Sequence, residues 1–420
     1  MIINRFHPSQ HSRLRLHLVT ALTVLDLGTA ALLSLMPGVL MPGAGWPVTA
    51  LWLLSTWAAW VMTRETRHAL ALDPYARAVT TPLLAAGLAL GLARLSDLDA
   101  APDSSWFVAL PLVWGLTMLL SRLTLRRMTP PVLIGTPAGT GPALPRHTQV
   151  QYVPLDTPRE VTLREVDALL LDPSAPPSRE WLELVLHAQA AGTPVWTPAA
   201  LGEELHGRIA LEHLHTGRLD HTNFDDTYAV IKRLFDIAAV VLALPLLLPL
   251  LLMVALLVLA DAGRPVLFWQ WRVGQHGRPF RIAKFRTMKR DSEKNGAAFA
   301  QAGDLRVTRL GGWLRKFRLD ELPQFWNVLR GDMSIIGPRP EQQTFVEQFE
   351  RELHLYPVRH WVKPGITGWA QVTHGYAAGA DETLEKLRYD LYYIKNFSFW
   401  LDARIVAKTL WTIMTGFGAR

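Results

Sequence analysis

Between Thr308 and Pro340 the sequence reads TRLGGWLRKFRLDELPQFWNVLRGDMSIIGPRP. Two adjacent carboxylates, Asp320 and Glu321, stand near its centre. Arg309, Arg315, Lys316 and Arg318 precede them, and Arg330 and Arg339 follow. A carboxylate pair facing that many fixed cations suits a multiply anionic substrate, most simply phosphate with a divalent metal. A plainer reading makes Asp320 a helix N-cap and the bases a solvated helix face. This passage alone leaves both open.

The rest of the chain must position that passage. Its 420 residues allow two or three domains. Half are hydrophobic, 16 are Trp and mean hydropathy is +0.14, which points to a membrane protein. The lack of cysteine excludes disulfides and thiolate metal sites. A net charge of +7 suits anionic lipid, nucleotide or nucleic acid. Lysine first appears at Lys232, so the two halves are expected to do different work.

Apolar stretches at about Leu18–Met36, Trp46–Met62, Val79–Leu95 and Trp106–Leu120 are each near the length that crosses a bilayer. Arginines precede the first, lie between the second and third, and follow the fourth, including Arg122; the other two loops have no Lys or Arg. The positive-inside rule then puts both ends of this four-helix unit in the cytoplasm. Asp26, inside the first stretch, has no partner visible in the sequence. From Pro131 the pattern changes. Val132–Gly135, Val150–Pro154, Ala168–Asp172 and Pro194–Trp196 read as strands, with helices at Arg179–Ala191 and Ala199–His213, so a small parallel α/β sheet is expected. The glycines of GTPAGTG miss the dinucleotide-binding spacing and include Pro137, which favours a regulatory or structural module over a cofactor site.

Ile237–Ala260 is uncharged and long enough to span, but bases flank both ends, and Pro245 and Pro249 fall near its middle. A helix that enters the membrane, bends and returns to the same face satisfies both observations; a kinked crossing helix is the alternative.

Several ordered motifs follow this segment's start: KRLFD at 232, RVG at 272, KFRTM at 284, LDELPQ-x-x-NVL-x-GDMS at 319, GPRP at 337 and KPGITGWAQV at 363. Together they resemble the bacterial sugar transferases, the monotopic phosphoglycosyl transferases that start glycan assembly on polyprenyl phosphate. The resemblance runs from about Lys232 to the C-terminus, and the N-terminal regions resemble the family's long form, which initiates capsule or exopolysaccharide synthesis. It implies that Asp320 is the nucleophile on the β-phosphate of a UDP-sugar and that Glu321 holds Mg²⁺. It also implies phosphate binding by Arg339 and a role for Asp390 of RYDLYY. Lys284 and Arg286 alternate with Phe285, so on a strand both would face one side, either the active site or a solvated or headgroup-facing surface, while Phe285 packs on the other. Members usually carry Ser-Pro at the membrane break, where this chain has Leu248-Pro249. The tail from Phe399 to Phe417 reads equally as an interfacial amphipathic helix or a core-packed one.

The expected fold class is membrane α plus α/β. Four transmembrane helices (1–128) precede a degenerate Rossmann-like module (129–222) and an α-rich catalytic domain (228–420) with a re-entrant membrane helix. The expected partners are a UDP-sugar, undecaprenyl phosphate and the bacterial inner membrane, with the catalytic domain facing the cytoplasm. A homodimer is compatible with the sequence, and no nucleic-acid module is present. A non-catalytic membrane scaffold of a polysaccharide assembly complex is the alternative function.

Overall fold

The computed structural model describes residues 10–40, 45–62, most of 81–92, 106–126, 131–137, 144–158 except 146, 166–172, 178–191, 193–209, 226–288, 306–374 and 380–415. The chain divides into two compact units, Met1–His206 and Gly207–Arg420.

In the first unit, helices α1 (Gln10–Leu40), α2 (Gly45–Met62) and α3 (Trp106–Arg126) cover three of the four expected stretches, and the described residues between 81 and 92 are helical. Thr20–Pro37 within α1 is long and apolar enough to cross a membrane, with mean hydropathy 1.4, while Ala109–Leu123 is a shorter apolar helix. Trp52, Trp114 and Met118 interlock with Ala59, Ala85 and Ala89 at their centre, large side chains filling the space that alanines leave. Asp26 has the partner that the sequence did not reveal. Arg122 donates from both terminal nitrogens to its two carboxylate oxygens, at 3.0 and 2.7 Å. Trp114 Nε1 donates to the Asp26 carbonyl at 3.0 Å. Both ends of the pair are buried, so α1 and α3 are pinned in one register.

The same unit holds a parallel sheet of β1 (Val132–Pro137), β2 (Val150–Leu155), β3 (Ala168–Leu170) and β4 (Val195–Trp196), in the order β2-β1-β3-β4. Helices α4 (Arg179–Ala190) and α5 (Pro198–His206) cover it. Alternation along β3 explains the two layers. Ala168 and Leu170 pack with Leu201 and Leu205, whereas Leu169 packs with Leu184 and Ala188. The second expected helix is described only as far as His206 and the turn after it, and 210–213 lie outside the described residues.

The second unit begins with α6, one 37-residue helix from Asp226 to Ala262 that contains both Pro245 and Pro249. An 18-residue stretch within Thr227–Ala262 has mean hydropathy 2.9 and only 17% of that stretch is buried; Leu242, Leu246, Leu248, Leu252 and Leu256 lie open. Both ends dock on the same unit. Near its start, Asp236 accepts from the Ile335 amide at 3.1 Å and Val240 packs with Phe280, Ile282, Val328 and Met333. Near its end, Val254 and Val258 pack with Phe285 and Leu314.

The remaining elements are the hairpin β5 (Leu267–Val273) and β6 (Pro279–Phe285), α7 (Arg309–Lys316), α8 (Gln324–Arg330) and β7 (Ser334–Ile336). After these come α9 (Gln343–Glu352), β8 (Gly365–Thr367), α10 (Trp369–Thr373), α11 (Ala380–Lys395) and α12 (Phe399–Thr415). β7 and β8 pair in parallel, which brings GPRP against KPGITG. Their contact is backbone on backbone. A Cβ on Gly337 would lie 2.3 Å from the Lys363 carbonyl oxygen, and one on Gly365 would lie 2.1 Å from the Gly337 nitrogen, so only glycine fits either position. Leu401 and Ile405 of α12 join the core with Tyr393 and Leu391, which favours the core-packed reading of its first half. The side chains of Leu410, Trp411 and Met414 lie outside the described residues.

Candidate active site

The acid–base passage folds as helix, turn, helix. Thr308 caps α7, its hydroxyl accepting from the Gly311 amide at 2.9 Å. After Phe317 the chain reverses at Arg318, a non-glycine residue at φ 56°, and winds a single 3₁₀ turn, Leu319–Glu321. α8 then begins after Pro323, with no side-chain cap. Asp320 therefore caps neither helix, which corrects that alternative. The reversal at Arg318 and the tight turn send both acids inward instead, leaving Asp320 8% and Glu321 5% exposed.

The two acids have opposite surroundings. Glu321 Oε1 accepts from Lys284 Nζ at 3.0 Å and from Arg339 Nη2 at 2.7 Å. Burial alone would raise its pKa, but Arg339 and then Lys284 outweigh it and hold the carboxyl well below its ordinary value. No hydrogen bond among the described residues holds the Asp320 carboxyl. Burial, reinforced by the Glu321 charge, pushes it up to about 6 against the pull of Lys284, Arg315 and Arg339. Burial also lowers the Lys284 pKa, with Glu321 opposing.

Of the residues expected from the sequence, Asp320, Glu321, Lys284 and Arg339 come together. Arg286 follows β6 and donates to the Arg264 carbonyl at 3.4 Å, away from the acids, while Phe285 between them packs into the core as expected. Asp390 lies behind the site. It accepts from Arg359 Nη2 at 2.9 Å, is 3% exposed, and burial raises its pKa to about 6 despite that arginine. Pro249 lies within α6. Arg315 donates to Thr287 Oγ1 at 2.9 Å. Asp332 accepts from Asn327 at 3.3 Å and faces Arg330 at 3.5 Å, a fold-supporting role.

Several supporting residues were not singled out from the sequence. Arg359 bridges Asp390 and the Arg339 carbonyl, at 2.9 Å to each, and donates to Tyr356 OH at 2.6 Å, so it braces the backbone that carries Arg339. Arg272 donates to the Pro340 carbonyl at 3.2 Å from the other side. Asn327 ties α8 to β6, donating to the Arg281 carbonyl at 2.8 Å and accepting from the Ala283 amide at 3.1 Å. An arginine shortly before the family-like KPGITG run was the available signal for Arg359, but nothing in spacing alone pairs it with Asp390.

No group of three or more His, Asp or Glu side chains converges as a metal cage among the described residues. A hard cation such as Mg²⁺ needs only one or two carboxylates when substrate phosphates complete its shell, and adjacent Asp320 and Glu321 fit that requirement.

A family model described as bacterial sugar transferase matches residues 227–416. A UDP-N-acetylgalactosamine-undecaprenyl-phosphate N-acetylgalactosaminephosphotransferase from Aeromonas hydrophila is 49% identical over 296 residues, covering 70% of each chain. The chain belongs to the bacterial sugar transferase family. Two UDP-glucose:undecaprenyl-phosphate glucose-1-phosphate transferases align over less. The one from Xanthomonas campestris pv. campestris is 43% identical over 48% of this chain and 42% of its own length. The one from Escherichia coli (strain K12) is 44% identical over 43% and 39%. The sugar transferase is thus an enzyme, and the matched region contains α6 from its second residue onward and every site residue above.

Proposed function

We propose that this sugar transferase moves a sugar-1-phosphate from a UDP-sugar to undecaprenyl phosphate, releasing UMP and initiating a surface polysaccharide. The observation that carries this reading is the uneven acid pair: Asp320 is buried and uncommitted, while its neighbour is held by two bases. A carboxyl with a pKa of about 6 is ionised at neutral pH and remains more basic than an ordinary aspartate, which suits a nucleophile. An Asp320 oxygen attacks the β-phosphorus, the bond to the UMP oxygen breaks, and UMP leaves. A phosphate oxygen of the lipid then attacks the same phosphorus and Asp320 departs as a carboxylate. Lys284 and Arg339 hold the phosphate oxygens as charge moves onto the leaving group. Mg²⁺ on Glu321, beside Asp320, would supply charge neutralisation to the diphosphate when bound.

The N-terminal helices are assigned four crossings, and α6 the re-entrant anchor bent near Pro249, with the site on the cytoplasmic face of a bacterial inner membrane. Docking of both ends of α6 on one unit supports the return, because a straight crossing would draw that unit into the bilayer. UDP-N-acetylgalactosamine is the favoured donor, since the relative with that substrate in its name aligns well beyond the catalytic region. Membranes carrying the protein should release UMP from this donor when given undecaprenyl phosphate. Release of UDP would exclude the reaction, and UMP from UDP-glucose alone would reassign the sugar.

A further inference from the structure

Two buried nitrogens at the C-terminal end of α10, on Gln371 and on the C-cap residue His374, have no hydrogen-bond partner among the described residues: Gln371 Nε2 and His374 Nε2. The residues are three apart, so their side chains are neighbours along the helix. Leaving a buried donor unpaired costs about 1–3 kcal/mol, so a native fold that retains such groups together calls for a reason. Stability does not supply one. α10 is already fixed by Trp369, whose ring stacks on Tyr392 at 6.1 Å, lies under Lys408 at 4.8 Å, and donates from Nε1 to the Gly207 carbonyl at 2.6 Å. The His374 ring stacks on Tyr389 at 5.8 Å, a contact that needs no nitrogen.

Their location supplies the reason. Gln371 Oε1 accepts from Arg318 Nη1 at 3.4 Å, and Arg318 is two residues before Asp320. The Arg318 charge also acts on Glu321. Gln371 is thus one guanidinium away from the reacting acids and is itself 9% exposed. Its chemistry differs from theirs. Around Glu321 the ligands are cations, which match phosphate. Gln371 offers a neutral carboxamide and His374 a ring nitrogen, and these match hydroxyl and acyl-carbonyl oxygens.

We propose that the Gln371–His374 face of α10 is the subsite for the sugar ring of the donor, making neutral hydrogen bonds to its oxygens while Lys284 and Arg339 take the diphosphate. This inference rests on the reading of the site given under Proposed function. It makes Gln371 and His374 residues that select the sugar.

The test uses full-length protein in membranes or nanodiscs, with UMP release from UDP-N-acetylgalactosamine as the readout. Gln371→Met keeps the side-chain length and removes the amide; His374→Phe keeps the stacked ring and removes both nitrogens. Each variant should raise KM for the nucleotide sugar about tenfold, the loss of one to two hydrogen bonds. Inhibition by UMP, which lacks the sugar, should stay within twofold of wild type, and the melting temperature should not fall. The proposal is overturned if KM is unchanged in both variants. It is equally overturned if the UMP inhibition constant rises in step with KM, or if the variants melt several degrees lower with KM intact, which marks a structural role. Should Gln371→Met fail to fold, His374→Phe decides alone. If wild type releases no UMP, the reaction itself is misassigned, and that result is separate from all of these.

Discussion

Two of the buried carboxylate centres in the catalytic unit are built on opposite principles. At Asp402 every oxygen is satisfied. Oδ2 accepts from Tyr228 OH at 2.5 Å and Lys232 Nζ at 2.6 Å, and Oδ1 accepts from Tyr393 OH at 2.9 Å. Burial and the Asp402 charge keep both tyrosine hydroxyls protonated. This centre joins the start of α6 to α11 and α12, and its complete pairing fits a joint. At the acid pair, satisfaction is divided unequally, with Glu321 taking the bases and Asp320 none of their hydrogen bonds. A fully paired centre stabilises a fold, whereas an unpaired acid costs stability and is retained for chemistry.

The sharpest way to break this comparison is to neutralise each acid in turn. Asp320→Asn should lower UMP release by about 10³-fold or more, as loss of a nucleophile does, while the protein remains folded. Asp402→Ala should do the reverse. Removing one member of a buried pair costs about 3–5 kcal/mol, so the variant should melt well below wild type while the folded fraction keeps its KM. If Asp402→Ala abolished turnover without a change in melting temperature, the structural reading of that centre would fail. A smaller effect is expected at Arg339→Ala, about 10²-fold in kcat/KM, from the loss of one preorganised donor to charge developing at phosphate. Arg359→Lys should follow in the same direction but more weakly, because a point charge cannot bridge Asp390, Tyr356 and the Arg339 carbonyl at once.

The parallel sheet was legible in the sequence because short apolar runs separated by turns encode alternation directly, and all four strands stand within a few residues of their expected places. So were Lys284, Arg339 and the acid pair, whose motifs the family resemblance aligned. Long-range partners were not. Arg122 was read as a topology signal in a loop, yet it reaches Asp26, 96 residues away in sequence, and only packing of α1 on α3 brings the two together. Burial of α11 turns Asp390 onto Arg359, so it braces the arginine that holds the Arg339 carbonyl, a link that the RYDLYY motif alone does not reveal. Arg286, one residue past β6, keeps a backbone hydrogen bond to the Val266 carbonyl at 2.9 Å while its guanidinium reaches the Arg264 carbonyl, a local partner that strand alternation does not reveal. The helix-cap reading of Asp320 failed on one backbone angle, the left-handed turn at Arg318, which residue type gives no reason to expect.

The smallest predicted effect isolates the cost that Asp320 imposes. Its carboxyl holds a proton up to about 6 in the folded protein, against about 3.9 for an unperturbed aspartate. A folded pKa above the unfolded one gives stability that is present below the unfolded value and lost as pH rises through the folded value. Glu321, held low, has the opposite sign, with stability present above its ordinary pKa and lost in acid. Comparing Asp320→Asn with wild type removes the Glu321 contribution to first order and leaves the Asp320 part. In the substrate-free protein the variant should gain on wild type by about 1.4 kcal/mol per pH unit between roughly pH 4 and 6 and hold a constant advantage above that. Wild-type kcat/KM should move the other way, falling about tenfold per unit as pH drops below about 6 because the protonated carboxyl cannot attack phosphorus. Melting curves and initial rates over the same pH range read both. A stability difference that stayed flat through this window would mean that Asp320 is paired after all, and the contrast with Asp402 would collapse.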